Sequence, residues 1–153
     1  MCFAAEILRR GWRVSRPYGD SAPYDCIVDA DEQLSRVQVR SAGVHKGVGR
    51  FETRFHIVVA GRTKKREHET RKYDILAALV VPHRTWYIIP IAATKGQIAI
   101  SLWPLRPSLG KLEHFREAWE LLRGGELEPK NSDSFRVEQT FRHSTENTDD
   151  DGL

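Results

Sequence analysis

Several things are scarce in this 153-residue chain. It has two cysteines, Cys2 and Cys26, too few for a disulfide framework or a four-ligand zinc site. A reducing, cytoplasmic setting is therefore the expected one. No apolar run approaches the ~18 residues of a membrane-spanning helix, which argues against an integral membrane protein. The opening residues, Met1 to Leu8 and then Arg9-Arg10, lack a basic leader followed by an apolar stretch, so no secretory signal is expected. Gly43, Gly47 and Gly49 lack the spacing of a P-loop or a dinucleotide fingerprint. The histidines (His45, His56, His68, His83, His114 and His143) show no metal-ligand spacing. There is no internal repeat. What is left is an ordinary globular composition, 40% hydrophobic and 29% charged, of a length that fits one domain.

The net charge of +3 conceals a polarity. Residues 144–153 carry Glu146, Asp149, Asp150 and Asp151 and no cation, so residues 1–143 hold +7. A basic body fits either a polyanionic partner, most simply nucleic acid, or plain solubility. The cations cluster: Arg9, Arg10, Arg13 and Arg16 near the start, then Arg62, Lys64, Lys65, Arg66, Arg71 and Lys72 within one eleven-residue run that also holds Glu67 and Glu69. That run reads as a solvated loop or as a loop that contacts phosphates.

Residues 3–10 are helix-prone, with Phe3, Ile7 and Leu8 at roughly helical spacing and Gly11 as a stop. Trp12 to Ser15 reads as a strand start, Pro17 to Pro23 as a loop and Tyr24 to Val28 as a strand. Asp29 to Glu32 reads as a turn and Leu34 to Arg40 as a further strand, forming a hairpin with the one before it. Gly43, Gly47 and Gly49 mark a loop, and Arg50 to Ala60 is β-rich. Tyr73 to Val81 is almost continuously apolar, which fits a buried central strand, with a helix as the other option. Thr85 to Pro90 and Ile98 to Trp103 read as strands. Leu112, Phe115, Trp119 and Leu122 form a stripe that predicts a helix over 110–123, stopped by Gly124-Gly125. From Glu126 onward the chain is polar and is expected to be disordered. The expected fold is α/β, with a mixed sheet and helices outside it.

One constellation can do chemistry. Asp25 starts a strand, and Gln38 and Arg40, two apart on the next strand, share a sheet face. A hairpin can gather a carboxylate, an amide oxygen and a cation into one small site. Oxygen ligands suit a hard divalent ion such as Mg²⁺ that keeps several waters and binds substrate phosphate. A cation beside it can stabilise charge that develops on phosphorus oxygens.

Asp25…Gln38-x-Arg40 resembles the PD-(D/E)xK nuclease motif. The ordered series Gly11-Trp12-Arg13-Val14, Pro17, Tyr24-Asp25, Val37 to Arg40, Tyr73-Asp74 and Trp86 to Pro90 is similar to the group I intron-associated PD-(D/E)xK endonucleases, over roughly residues 1–93. The resemblance implies a restriction-endonuclease-like core with a central mixed β-sheet flanked by helices; outside it, the chain's own pattern places a strand and helix packed on the core at 94–125 and a polar tail at 126–153. It implies a Mg²⁺-dependent DNA endonuclease, with Mn²⁺ as a possible substitute. Asp25 would be the main metal ligand. Gln38 would stand where most of the superfamily has Glu or Asp, and Val39 would offer its carbonyl. Arg40 replaces the usual Lys; it stays protonated, so it can hold phosphate or orient a water but cannot act as a general base. The basic segment 62–72 would follow the DNA backbone. The family's early helical Glu has no counterpart in place here, and Glu6 is the candidate substitute. A homodimer is compatible with cutting both strands. The alternative is a nuclease-derived DNA-binding module without catalysis. A third reading, an interaction protein using the predicted helix 110–123 and the acidic tail, predicts no DNA affinity.

Overall fold

The computed structural model describes residues 2–19, 21–46, 53–59 and 73–125. Helix α1 (Phe3–Arg9) buries Phe3, Glu6 and Ile7 along one stripe. Its end is a Schellman motif: Gly11 N–H donates to Leu8 C=O (2.9 Å) and Trp12 N–H to Ile7 C=O (3.3 Å). Gly11 takes φ +79°, which glycine adopts without penalty. Strand β1 (Arg13–Ser15) follows, then β2 (Cys26–Ala30) and β3 (Gln33–Ser41), β4 (Gly43–Lys46), β5 (Thr53–Val58), β6 (Ile75–Val80), β7 (Thr85–Pro90) and β8 (Ala99–Leu102). Gly43, expected in a loop, instead opens β4. The expected turn at 29–32 narrows to Asp31 and Glu32, since Asp29 and Ala30 still pair in β2.

Two sheets form. The larger has the order β1-β2-β3-β6-β7, and the smaller is β4-β5-β8. The β3–β6 pair is parallel and all others are antiparallel, so the main sheet is mixed as expected. Strand β6 is buried along its whole length. Ile75, Ala77 and Leu79 face one core with Phe3, Ile7, Val28, Val37, Trp86 and Ile88. Leu76, Ala78 and Val80 face a second core with Phe55, Ile57, Ile100 and Leu102 from the small sheet. A strand covered on both faces cannot alternate, which is why its sequence is continuously apolar.

The stripe at 110–123 is not one helix. It forms two 3₁₀ turns, Glu113–Phe115 and Trp119–Arg123, separated by Arg116 in an extended conformation and Glu117 at φ +52°. Leu112 and Phe115 fill the second core, whereas Trp119 and Leu122 fill the first. The segment therefore crosses the free edge of β7 from one face of the sheet to the other, which a single helical stripe cannot do. On the way Glu117 N–H donates to Trp86 C=O (2.8 Å), and Trp86 N–H donates to Glu117 Oε1 (2.7 Å). Covering an edge strand in this way blocks intermolecular pairing. Among the described residues α1 is the sole α-helix, so the expected flanking helices reduce to one helix and 3₁₀ turns.

Candidate functional site

The β2–β3 register pairs Cys26 with Val37, and one step further Asp25 stands opposite Gln38. Asp25 N–H donates to Val37 C=O (2.9 Å). Its Oδ2 accepts Val39 N–H (2.7 Å) and the Gln38 side-chain amide. A carboxylate is an acceptor only, so the Gln38 amide must face it through Nε2. Oδ1 has no hydrogen-bond partner among the described residues. Cys26, Val28 and Ala30 point into the α1-side core, so Asp25 points to the opposite face. Gln38 and Arg40 register with Leu76 and Ala78, which face the small sheet, so all three share that face. The hairpin thus brings Asp25, Gln38 and Arg40 together as their spacing implied. They line a cleft of about 430 Å³ with Pro23, Val59 and Tyr73.

The frame of this cleft is fixed by a clamp. The Arg36 guanidinium donates through Nη2 to Asp74 Oδ1 (2.7 Å) and through Nε to Oδ2 (3.1 Å). The Arg36 backbone N–H adds a bond to the same carboxylate, at Oδ2 (2.8 Å), and Asp74 N–H donates to Arg36 C=O (2.9 Å). The clamp locks the start of β6 to β3 next to Gln38. The hydrogen bonds from Arg36 hold the Asp74 carboxyl below the usual carboxylate range, against a smaller opposing effect of burial. Tyr73-Asp74 was legible in the sequence as a feature, but its partner Arg36 was not, because an exposed strand arginine carries no pairing signal. Beside the site, burial and then the adjacent Asp25 carboxylate push the Cys26 thiol up to about 11, so it is a packed hydrophobe and not a nucleophile.

Glu6 lies elsewhere. It sits on α1, on the other face of the main sheet from Gln38 and Arg40, and is not among the residues that line the cleft. Its Oε2 accepts Arg10 Nη1 (2.8 Å) and pairs with Arg9 Nη2 (3.1 Å). Arg10 in turn lies 3.7 Å over the Trp119 ring. The basic residues Arg62, Lys64, Lys65, Arg66, Arg71 and Lys72 lie outside the described residues. The described residues on either side of that segment, Val59 and Tyr73, both line the Asp25 cleft.

Hard oxygen donors are what the cleft's lining offers a metal: the Asp25 carboxylate and the Gln38 amide oxygen after rotation, with the Val39 backbone next to them. Among the described residues no three His, Cys, Asp or Glu side chains converge as ligands. Few protein ligands, all oxygen, fit an ion that keeps most of its waters.

A mixed α/β sheet with an acid, an amide and a cation at the open end of a hairpin defines a restriction-endonuclease-like fold. The family model for PD-(D/E)XK endonucleases matches residues 2–121, and the chain belongs to that family. The match runs past residue 93 and takes in most of the segment that crosses β7. Among solved structures the chain is similar to a bacterial homing endonuclease, I-Ssp6803I, with a TM-score of 0.60 and 24% identity, covering 79% of this chain and 83% of that one. At that identity the likeness establishes the fold. No curated protein matches the chain. Membership of a nuclease family implies a DNA substrate, and nucleases of this family generally use divalent metal ions. Among the described residues no helix is long and apolar enough to cross a membrane.

Proposed function

We propose that the protein is a metal-dependent DNA endonuclease that hydrolyses phosphodiester bonds at the Asp25 cleft, with Mg²⁺ as its ion and Mn²⁺ as a substitute. The observation that carries this reading is the half-used carboxylate of Asp25, held rigidly by Val39 and Gln38 at the mouth of a cleft that also presents Arg40. Asp25, Gln38 and the Val39 carbonyl would hold the ion. When bound, it supplies Lewis acidity toward a phosphate oxygen and lowers the pKa of a bound water. Arg40 has no ion-pair partner among the described residues and is exposed, so its guanidinium is available to a phosphate in two-pronged fashion. It cannot take a proton, so its part is to hold and stabilise charge. Arg62, Lys64, Lys65, Arg66, Arg71 and Lys72 follow the DNA backbone, on a segment whose flanking residues line the cleft. Two copies acting together would cut both strands. The likeness to a homing endonuclease supports placing the chain in the intron-associated group.

One observation favours a second reading, a DNA-binding module without catalysis: the nearest carboxylate on α1, Glu6, is engaged by Arg9 and Arg10 and leaves the cleft with Asp25 alone. Supercoiled plasmid incubated with Mg²⁺ or Mn²⁺ separates the two. Nicking that stops in EDTA and in Asp25→Ala supports the nuclease. Duplex binding with no nicking under either ion supports the module.

A further inference from the structure

A second cleft, of about 680 Å³, lies on the α1 side of the main sheet. Its floor holds the buried side chains of Phe3 and Cys26 with the half-buried Val14, and its rim holds Arg16, Tyr24 and Cys2. It shares Ala22 and Asp25 with the first cleft and includes Val39, whose N–H holds the Asp25 carboxylate. Asp25 is thus the ridge between two clefts that open on opposite faces of the sheet.

Arg9 and Arg10 pair with Glu6, Arg13 with Asp29, Arg36 with Asp74 and Arg123 with Asp31. Arg40 in the first cleft and Arg16 in the second are exposed and have no carboxylate partner among the described residues. Arg54, Arg84 and Arg116, which line neither cleft, also have no carboxylate partner among the described residues, so it is their place in a cleft that sets Arg40 and Arg16 apart. A guanidinium kept free of acids on each side of a single carboxylate ridge matches a chain of phosphates that crosses the ridge. An apolar floor with a tyrosine at its rim matches the sugar and base that such a chain carries.

We propose that the second cleft is a nucleotide subsite. It takes the nucleotide that adjoins the scissile phosphate, with Arg16 on that nucleotide's phosphate and Tyr24, Val14 and Phe3 against its sugar and base. The substrate strand then runs over Asp25 from the Arg40 side to the Arg16 side. This rests on the nuclease reading above and adds to it a substrate path and a second phosphate contact.

Cys2 reports on this cleft without mutagenesis. Its thiol is exposed, and the backbone N–H groups of Ala5 and Ala4 lower its pKa, whereas Cys26 is buried and stays silent. The experiment measures alkylation of Cys2 by iodoacetamide in EDTA, with and without a short DNA duplex. Alongside it, duplex affinity is measured against salt for the native protein, Arg16→Gln, Arg16→Lys and the surface control Lys111→Gln. The subsite predicts that duplex held at ten times its Kd slows Cys2 alkylation about tenfold. It also predicts that Arg16→Gln lowers the slope of log affinity against log salt by about 0.9, the loss of one phosphate contact, while Arg16→Lys and Lys111→Gln keep the native slope. If the native protein binds duplex but Cys2 alkylation is unslowed, or Arg16→Gln behaves as Lys111→Gln does, the subsite is overturned and the nuclease reading stands. If the native protein binds no duplex even at low salt, both fall.

Discussion

Asp25, Glu113 and Glu117 do the same elementary thing: each carboxylate accepts a backbone N–H at 2.7 Å, from Val39, Trp103 and Trp86 respectively. They differ in what the other oxygen does. Glu113 gives its second oxygen to the Tyr87 hydroxyl (2.7 Å), and Glu117 gives its second to Trp119 Nε1–H (2.7 Å). Both are spent. In Asp25 the second bond, from Gln38, falls on the same oxygen, and the other oxygen of this cleft-lining residue has no partner among the described residues. The edge of β7 and the end of the β2–β3 hairpin thus use one device for opposite ends. A carboxylate with both oxygens used ties structure together, and one with an oxygen to spare has the capacity to take a ligand.

The largest expected effect separates these roles by activity. Asp25→Ala abolishes metal-dependent nicking while the far-ultraviolet spectrum and thermal transition stay close to native. A collapse of the fold instead would make Asp25 a structural carboxylate and break the comparison. Next comes Glu113→Ala, which leaves the buried Tyr87 hydroxyl and the part-buried Trp103 N–H without their carboxylate partner. Each orphaned group costs ~1–3 kcal/mol, so urea unfolding should show a loss of about 3 kcal/mol. Burial, and then the Glu113 carboxylate, raise the Tyr87 pKa, so its phenol stays protonated through the alkaline range in which exposed tyrosines ionise.

A smaller effect of opposite sign comes from the turn of the same hairpin. Asp31 (φ 51°) and Glu32 (φ 72°) both adopt left-handed conformations, as a two-residue primed turn requires. Aspartate tolerates that region, but glutamate does not favour it. Glu32→Gly should raise stability by about 1 kcal/mol in urea unfolding and leave nicking unchanged. The smallest effect concerns the Arg36–Asp74 clamp, whose partners are both partly exposed. Since the folded carboxyl titrates below its unfolded value of about 3.9, its contribution is fully present above that pH. It is lost as pH falls through the lower, folded value. Asp74→Asn should therefore lower the neutral plateau of a stability–pH profile slightly and meet the native curve in acid, which flattens the acid limb. A steeper acid limb in the variant would contradict this reading of the clamp.

The hairpin and the grouping of Asp25, Gln38 and Arg40 were legible because period-two alternation, a polar turn and the separation of Asp25 from Gln38 all agree on one register. Strand β6 was legible as a buried run. The edge crossing was not. Leu112, Phe115, Trp119 and Leu122 are buried as their stripe demands, but in two different cores. Nothing local announces that Glu117 turns left-handed to reach β7, and glutamates four apart read as a solvated helix face. Nor does alternation alone say that β4, β5 and β8 leave the main sheet, since period two fixes a face and not a partner. Glu6 fell into the same gap: its position near Gly11 is visible in the sequence, but the face of the sheet on which α1 packs is decided by Phe3 and Ile7.

The measurement that bears most directly on the spare oxygen is Mn²⁺ binding, followed by electron paramagnetic resonance, in the native protein, Asp25→Asn and Glu6→Gln. The account predicts a bound Mn²⁺ in the native protein and in Glu6→Gln, and its loss in Asp25→Asn. Retention in Asp25→Asn together with loss in Glu6→Gln would place the ion on the α1 face and contradict the account.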